Sequence, residues 1–147
     1  MTSSGQFTKG KETMPYLQLD VPKHYPVEVK RALAQRLGDS YARIMQTTPE
    51  LVTVSFRELG QGGVWSCGTG EPEPGAVLAC EVRRGRPAEQ RAELAQALID
   101  ACVEALGLRS DRLVVEFTQH TADEMYRAGR GWAAEWTPAE AARAAPR

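Results

Sequence analysis

The stretch PVEVKRALAQRLGD, residues 26–39, recurs sixty-one positions later as PAEQRAELAQALID, residues 87–100. The same offset relates Val54 to Val115 in the segment that follows each stretch. A constant register across a helix and the next strand is typical of an internal duplication. The chain is therefore predicted to contain two copies of one structural unit.

Each copy has the pattern of a strand, a helix and a second strand. The first strand, Pro15 to Val21, alternates between apolar and polar residues, which predicts a half-buried strand. Apolar residues recur every three or four positions through each predicted helix. These are Val29, Leu33, Leu37, Tyr41 and Ile44 in the first helix, and Leu94, Leu98, Cys102 and Ala105 in the second.

The boundaries come from turn and breaker residues. The first helix begins near Pro26 and ends at Thr48-Pro49, because the residue before a proline avoids helical geometry. The second helix ends at Gly107, a typical C-terminal residue. The other predicted strands are Leu51 to Phe56, Ala76 to Val82 and Leu113 to Phe117.

The predicted fold class is α/β, with tandem β-α-β repeats forming a four-stranded sheet and two helices on one face. The repeats span residues 15–60 and 76–120 of a domain at 15–137. The opposite face of the sheet is expected to carry Leu17, Val54 and Val115, and such a face needs cover, which predicts oligomerisation. Residues 1–14 are expected to form a disordered extension or tag, and residues 138–147 a disordered tail.

Composition excludes several classes of protein. The 147 residues carry a net charge of −1. The chain therefore has no excess of basic residues that would indicate nucleic-acid binding. Neither a signal peptide nor a long apolar segment is present, which predicts a cytoplasmic protein without membrane contact. The three cysteines are widely spaced and predict neither a disulfide framework nor a metal site.

Two features carry possible chemistry. Pro15 follows Met14, and if translation starts at Met14 and the methionine is removed, Pro15 becomes a free secondary amine. Nearby cations or partial burial lower the proton affinity of such an amine, which makes it a base near neutral pH. The turn before the second helix carries Arg83, Arg84 and Arg86. A guanidinium stays charged and binds a carboxylate bidentately, although a run of charges is often only a solvated turn.

A proline at the first strand, duplicated β-α-β units and the arginine turn in CEVRRGRPAEQ (residues 80–90) together resemble the tautomerase superfamily. The late stretch ADEMYRAGRGWAAEW (residues 122–136) is similar to the Gly-Arg-Gly segment of one of its branches. Among two-repeat members, the chain resembles cis-3-chloroacrylic acid dehalogenase and malonate semialdehyde decarboxylase. The resemblance implies a tautomerase-like homotrimer, no cofactor and no metal, and a small-molecule carboxylate as substrate.

The resemblance assigns roles residue by residue. Pro15 matches the catalytic proline, and Arg83 and Arg86 match the arginines that hold the substrate carboxylate in the dehalogenase branch. Arg84 and Arg86 align better in the decarboxylase branch. Tyr41 stands where the dehalogenase has a histidine, and Glu116 where it has an active-site tyrosine, so both are candidate substrate-binding residues. Tyr41 also fits the apolar stripe of its helix, and Glu116 fits an outward strand position.

Departures from the family pattern narrow the activity. Arg127 occupies the position of the dehalogenase's water-activating glutamate, which argues against hydrolysis, and Glu50 is a loose substitute for the decarboxylase's aspartate. The predicted function is a tautomerase-like enzyme that uses an amino-terminal proline as acid and base on a small 2-oxo acid or enol. The alternatives are a decarboxylase of a β-keto or semialdehyde acid, or a non-catalytic trimeric ligand-binding module if Pro15 is not N-terminal. A regulatory domain of ferredoxin-like plan also fits the element order.

Remaining candidates are weaker. His24 and His120 fall in predicted loops with no partner at a useful spacing. Met125, Trp132 and Trp136 fit either a pocket wall or a contact between subunits.

Overall fold

The computed structural model describes residues 15–68 and 70–140. The first repeat consists of β1 (Tyr16–Val21), α1 (Val27–Met45) and β2 (Thr53–Glu58). The second consists of β5 (Ala76–Arg83), α2 (Ala88–Leu106) and β6 (Leu113–His120). A short hairpin of β3 (Trp65–Ser66) and β4 (Glu73–Pro74) joins the repeats, and a second hairpin, β7 (Tyr126–Arg127) and β8 (Gly131–Trp132), follows β6.

The two repeats form one four-stranded sheet in the order β2-β1-β5-β6. The strands of each repeat are parallel to each other, whereas β1 and β5 are antiparallel. Apolar residues of both helices share one core with one face of the sheet. The predicted fold class of tandem β-α-β repeats is confirmed. The antiparallel central pair places the beginning of β1 beside the end of β5.

The expectation about the open face of the sheet is wrong. Leu17 is fully buried under the helices, and Val54 and Val115 pack against the same core. Leu17 shares its face with Leu19 and Val21, because side chains two positions apart point the same way. Polar residues dominate the open face, which carries Tyr16, Gln18, Asp20, Ser55, Arg57, Val77, Ala79, Glu81, Val114 and Glu116.

Local backbone chemistry shifts the start of β2. Residues Pro49–Leu51 form a 3-10 turn, so β2 begins at Thr53 and not at Leu51. α2 ends at Gly107 as predicted, with φ +70 and a hydrogen bond from its N–H to the Val103 carbonyl. The spacing of the helix predicts Ala105 in the core, but Ala105 is exposed and the neighbouring Leu106 is buried instead.

At the C-terminal end, residues 138–140 lie in the segment expected to be a disordered tail and are described by the structure. Glu140 lies in the segment expected to be a disordered tail, yet it is only 4% exposed. Residues 1–14 and 141–147 lie outside the described residues. Among residues 15–68 and 70–140, neither helix has the length and apolar character needed to cross a membrane.

Candidate active site

The start of β1 and the arginine turn meet at one end of the sheet. Tyr16 pairs with Glu81 in the antiparallel register, so Pro15 lies beside the last residues of β5. Pro15 is buried, and its carbonyl accepts a hydrogen bond from the Thr53 N–H at 3.1 Å. The turn that follows β5 is held in turn by β6, since the Arg84 N–H donates to the His120 carbonyl at 2.9 Å. The structure thus brings the main chain at Pro15 to the end of the sheet that carries the arginine turn.

Arg86 is buried between three elements. Its Nε and Nη2 donate to the Met45 carbonyl at the end of α1, at 3.0 and 2.8 Å. Its guanidinium also lies 5.9 Å from the centre of the Tyr41 ring and 5.2 Å from that of Trp136. Cation–π contacts and a charge-assisted hydrogen bond compensate for the removal of this cation from water. The Met45 carbonyl is one of the last of its helix, where a cation is favoured.

Arg83 is buried by a segment much later in the chain. Its side chain is 0% exposed, and its Nη1 donates to the Ala134 carbonyl at 2.9 Å. Its Nη2 forms an ion pair with the Glu140 carboxylate, which is also buried. Buried charges of this kind are tolerated when they are paired and hydrogen-bonded.

Arg84 is the exposed member of the turn. Half of its side chain is accessible, and its Nη2 lies 3.0 Å from the Glu135 carboxylate. Its main chain is nevertheless fixed, since its carbonyl accepts a hydrogen bond from the Trp136 N–H at 2.8 Å. The expectation of a merely solvated turn therefore fits Arg84 and fails for Arg83 and Arg86.

Tyr41 and Glu116 take different positions relative to this turn. Tyr41 is fully buried in the core, and its ring contacts Arg86 from the helix side. Glu116 is exposed on the open face of β6, in register with Ala79. Because Arg83 pairs with His120 in the same register, Glu116 lies four residues, or about 13 Å, from the turn along the strand. Within one chain the structure does not bring Glu116 to the arginines.

His120 has partners that the sequence spacing did not reveal. It is the last residue of β6, with Nε2 2.5 Å from a Glu81 oxygen and Nδ1 3.7 Å from a Glu124 oxygen. Glu81 lies 39 positions earlier, so only strand pairing brings the two together. Tyr16 lies opposite Glu81, and its hydroxyl is 2.7 Å from Ser55 Oγ. This polar row adjoins the arginine turn on the open face.

The other aromatic candidates divide between core and surface. Met125 and Trp136 are buried at the end of the sheet that carries the arginine turn. Trp132 is 57% exposed and packs edge-on against the Tyr126 ring, with 5.0 Å between ring centres.

A separate cavity lies at the opposite end of the sheet. It has a volume of about 240 Å³ and is lined by Tyr25, Glu73, Gly107, Arg109 and Arg112, among others. Its walls come from the segments that follow β1 and α2, from β4 and from the beginning of β5, at the end of the sheet away from the arginine turn. The described residues contain no group of three or more His, Cys, Asp or Glu side chains placed to hold a metal ion.

Similarity to known proteins agrees with this geometry. Residues 78–134, which include most of β5, all of α2 and β6 and both strands of the second hairpin, match the sequence model of the family described as Tautomerase enzyme. Over these residues the chain is similar to that family. No curated protein sequence matches it.

Solved structures share the fold. The crystal structure of Pt0534 inactivated by 2-oxo-3-pentynoate has 24% identity and a TM-score of 0.70, covering 80% of this chain and 96% of Pt0534. N1, a member of the cis-3-chloroacrylic acid dehalogenase family, has 21% identity and a TM-score of 0.71, over 81% and 84% of the two chains. The Q0 fused 4-OT wild type symmetric trimer has 22% identity and a TM-score of 0.71, over 81% and 95%.

Proposed function

We propose that this chain is a member of the tautomerase superfamily and a homotrimeric enzyme that interconverts the enol and keto forms of a small 2-oxo acid. The observation that carries the proposal is the antiparallel pairing of β1 with β5, which sets Pro15 beside the turn that carries Arg83 and Arg86. The substrate class is supported by Pt0534, a protein of the same fold that 2-oxo-3-pentynoate inactivates. The assembly is supported by fused 4-OT trimers, which also share the fold.

The Pro15 nitrogen acts as the base in this scheme. In the printed sequence that nitrogen forms an amide with Met14, so the reaction requires a chain that begins at Pro15. Burial of Pro15 and the positive charges of the turn both favour the neutral amine. The amine takes the proton of the enol O–H bond, and the electron pair of the resulting enolate then takes that proton back at the neighbouring carbon. Proton transfer by a positioned base contributes about 10²–10⁴-fold in rate.

The arginines supply the charge that this reaction needs. Arg86 and Arg83 bind the substrate carboxylate and stabilise the negative charge that develops on the enolate oxygen. Both side chains are held inside the chain, Arg86 by the Met45 carbonyl and Arg83 by the Ala134 carbonyl. Their orientation is therefore fixed before a substrate arrives, which favours electrostatic stabilisation of this kind.

The proposal is tested by three proteins that differ only at the amine. These are a chain that begins at Pro15, the full chain in which the same nitrogen is an amide, and a Pro15→Ala form of the shorter chain. Ketonisation of an enol pyruvate is followed by loss of the enol's ultraviolet absorbance. The chain that begins at Pro15 should be active, and the other two should be at least about 10²-fold slower. Equal activity in the full chain and the shorter chain excludes the amine as the base.

Two other functions remain distinguishable by the same proteins. A decarboxylase would release CO₂ from a β-keto or semialdehyde acid, which a headspace measurement detects. A non-catalytic ligand-binding module would need no free amine at Pro15. Carboxylate binding without turnover in both the full and the shorter chain would support that function.

A further inference from the structure

The segment from Ala133 to Glu140, here called the C-terminal arm, lies directly on the arginine turn. Its main chain forms two hydrogen bonds to the turn, from the Trp136 N–H to the Arg84 carbonyl at 2.8 Å and from Arg83 Nη1 to the Ala134 carbonyl at 2.9 Å. The Ala133 N–H anchors the beginning of the arm on the Met125 carbonyl at 2.8 Å. The arm is thus fitted to the turn along its backbone.

The turn is shaped to receive the arm. Gly85 has φ +130, and a Cβ at that position would lie 2.1 Å from the Trp136 carbonyl oxygen. No side chain fits there while the arm stays in place, so glycine is needed both for its backbone conformation and for close approach. The Trp136 ring then covers the Arg86 guanidinium at 5.2 Å.

Glu140 completes the contact with a carboxylate. Its side chain is 5% exposed and is paired with Arg83 Nη2. Glutamate is almost never this buried unless it is paired, so the contact is specific to a cation. Both terminal nitrogens of the Arg83 guanidinium are therefore occupied, Nη2 by Glu140 and Nη1 by the Ala134 carbonyl.

We propose that Glu140 is an internal occupant of the carboxylate site on Arg83 and that it determines how tightly the site takes a carboxylate ligand. The inference rests on the proposed role of Arg83 in holding the substrate carboxylate. A guanidinium binds one carboxylate bidentately through two parallel N–H groups. A ligand carboxylate can take up that arrangement on Arg83 only after Glu140 leaves Nη2. Ligand binding at Arg83 and docking of Glu140 are thus mutually exclusive.

This competition has a measurable consequence. The apparent Kd of a ligand rises in inverse proportion to the fraction of chains in which its site is vacant. If Glu140 is docked in nine chains of ten, its removal strengthens binding about tenfold. Glu140→Gln removes the carboxylate and keeps the size of the side chain, and the backbone hydrogen bonds of the arm remain available.

The experiment measures binding of pyruvate to the full chain by calorimetry, so it does not depend on turnover or on a free Pro15 amine. Glu140→Gln should bind pyruvate about tenfold more tightly than the unmodified chain, and the uncharged methyl pyruvate should bind neither. Glu135→Gln is the matched control, since it removes the same charge from the same arm at a partner of the exposed Arg84. It should change the Kd less than twofold.

Several outcomes would overturn the inference. These are unchanged or weaker binding by Glu140→Gln, an equal gain in Glu135→Gln, or no pyruvate binding in any form. A second measurement uses the unmodified chain and so does not depend on folding of a variant. Saturating pyruvate should speed hydrogen exchange at the Glu140 amide, which donates to the Thr137 carbonyl, and methyl pyruvate should not. An unchanged exchange rate with bound pyruvate also overturns the inference. Failure of the Pro15 activity test, with tighter binding in Glu140→Gln, would reject the enzyme and retain the competition.

Discussion

At the scale of single residues, burial suppresses the ionisation of two cysteines in the core. Removal from water raises the pKa of the Cys80 thiol to about 12, with smaller contributions from Cys102 and Glu81. Burial likewise raises the pKa of Cys102 to about 12. Cys67, by contrast, is exposed. We therefore expect a thiol reagent near neutral pH to modify Cys67 in the folded chain, and to reach Cys80 and Cys102 only after unfolding.

The same pKa values predict how stability depends on pH. An unfolded cysteine ionises near pH 9, whereas the folded thiols remain protonated to about pH 12. The unfolded state then binds fewer protons in this window, so the free energy of unfolding falls between about pH 9 and pH 12. Urea denaturation at several alkaline pH values measures the slope. The fall in stability with pH should be less steep in Cys102→Ala and unchanged in Cys67→Ser. An identical slope in the unmodified chain and both variants would contradict the assignment.

Residue-level prediction from sequence succeeded where periodicity marks a position. The apolar stripe of the first helix marked Tyr41 as a core residue, and Tyr41 is buried, whereas the roles of Arg83 and Arg86 stay a prediction. No pattern marked Glu140 or His120, because their partners lie 57 and 39 positions away and meet them only in the folded chain. Chain separation of this size leaves no trace in local spacing.

At the scale of elements, the duplicated pattern predicted the order of strands and helices, while turns and faces were harder to place. Leu51 was assigned to β2 because an apolar leucine next to a strand resembles a strand residue. In the structure Pro49–Leu51 form a 3-10 turn, and β2 begins after it. The open face was assigned wrongly, although the alternation of β1 already placed Leu17 with Leu19. The docking of the C-terminal arm had no counterpart in the sequence, since its residues show no period.

One prediction tests whether the arm and the turn form a fitted pair. Gly85→Ala places a Cβ against the Trp136 carbonyl, so the arm must lift and expose the Trp136 ring. We expect greater quenching of tryptophan fluorescence by acrylamide and a lower Tm. Gly129→Ala serves as the control, because Gly129 also has a positive φ, +82, but nothing lies within 4 Å of a Cβ there. Equal quenching in the two variants would show that backbone strain, and not contact with the arm, accounts for the change.

At the scale of the whole molecule, helices cover one face of the sheet and leave the open face uncovered. The open face is more polar than the sequence predicted, and its side chains form hydrogen bonds and ion pairs across the strands. Arg57 contacts both oxygens of Asp20, for example, and the Tyr16 hydroxyl contacts Ser55 and Gln18. Such a face is stable in water on one chain, so the need to cover apolar surface does not by itself require the trimer. The trimer proposal depends instead on the fused 4-OT trimers of the same fold.

The trimer makes a prediction about which surface is used. Ala79 lies at the centre of the open face, between Gln18 of β1 and Glu116 of β6 in the register of the sheet. Ala79→Arg adds a long cation that one chain can accommodate beside Glu116, but it occupies the space into which other sheets must pack. The unmodified chain should sediment at three times its mass of 16.1 kDa, and Ala79→Arg at a lower mass with an unchanged circular dichroism spectrum. Ala92→Arg, on the exposed side of α2, should remain trimeric. A trimer that survives Ala79→Arg and dissociates in Ala92→Arg would place the contact on the helices.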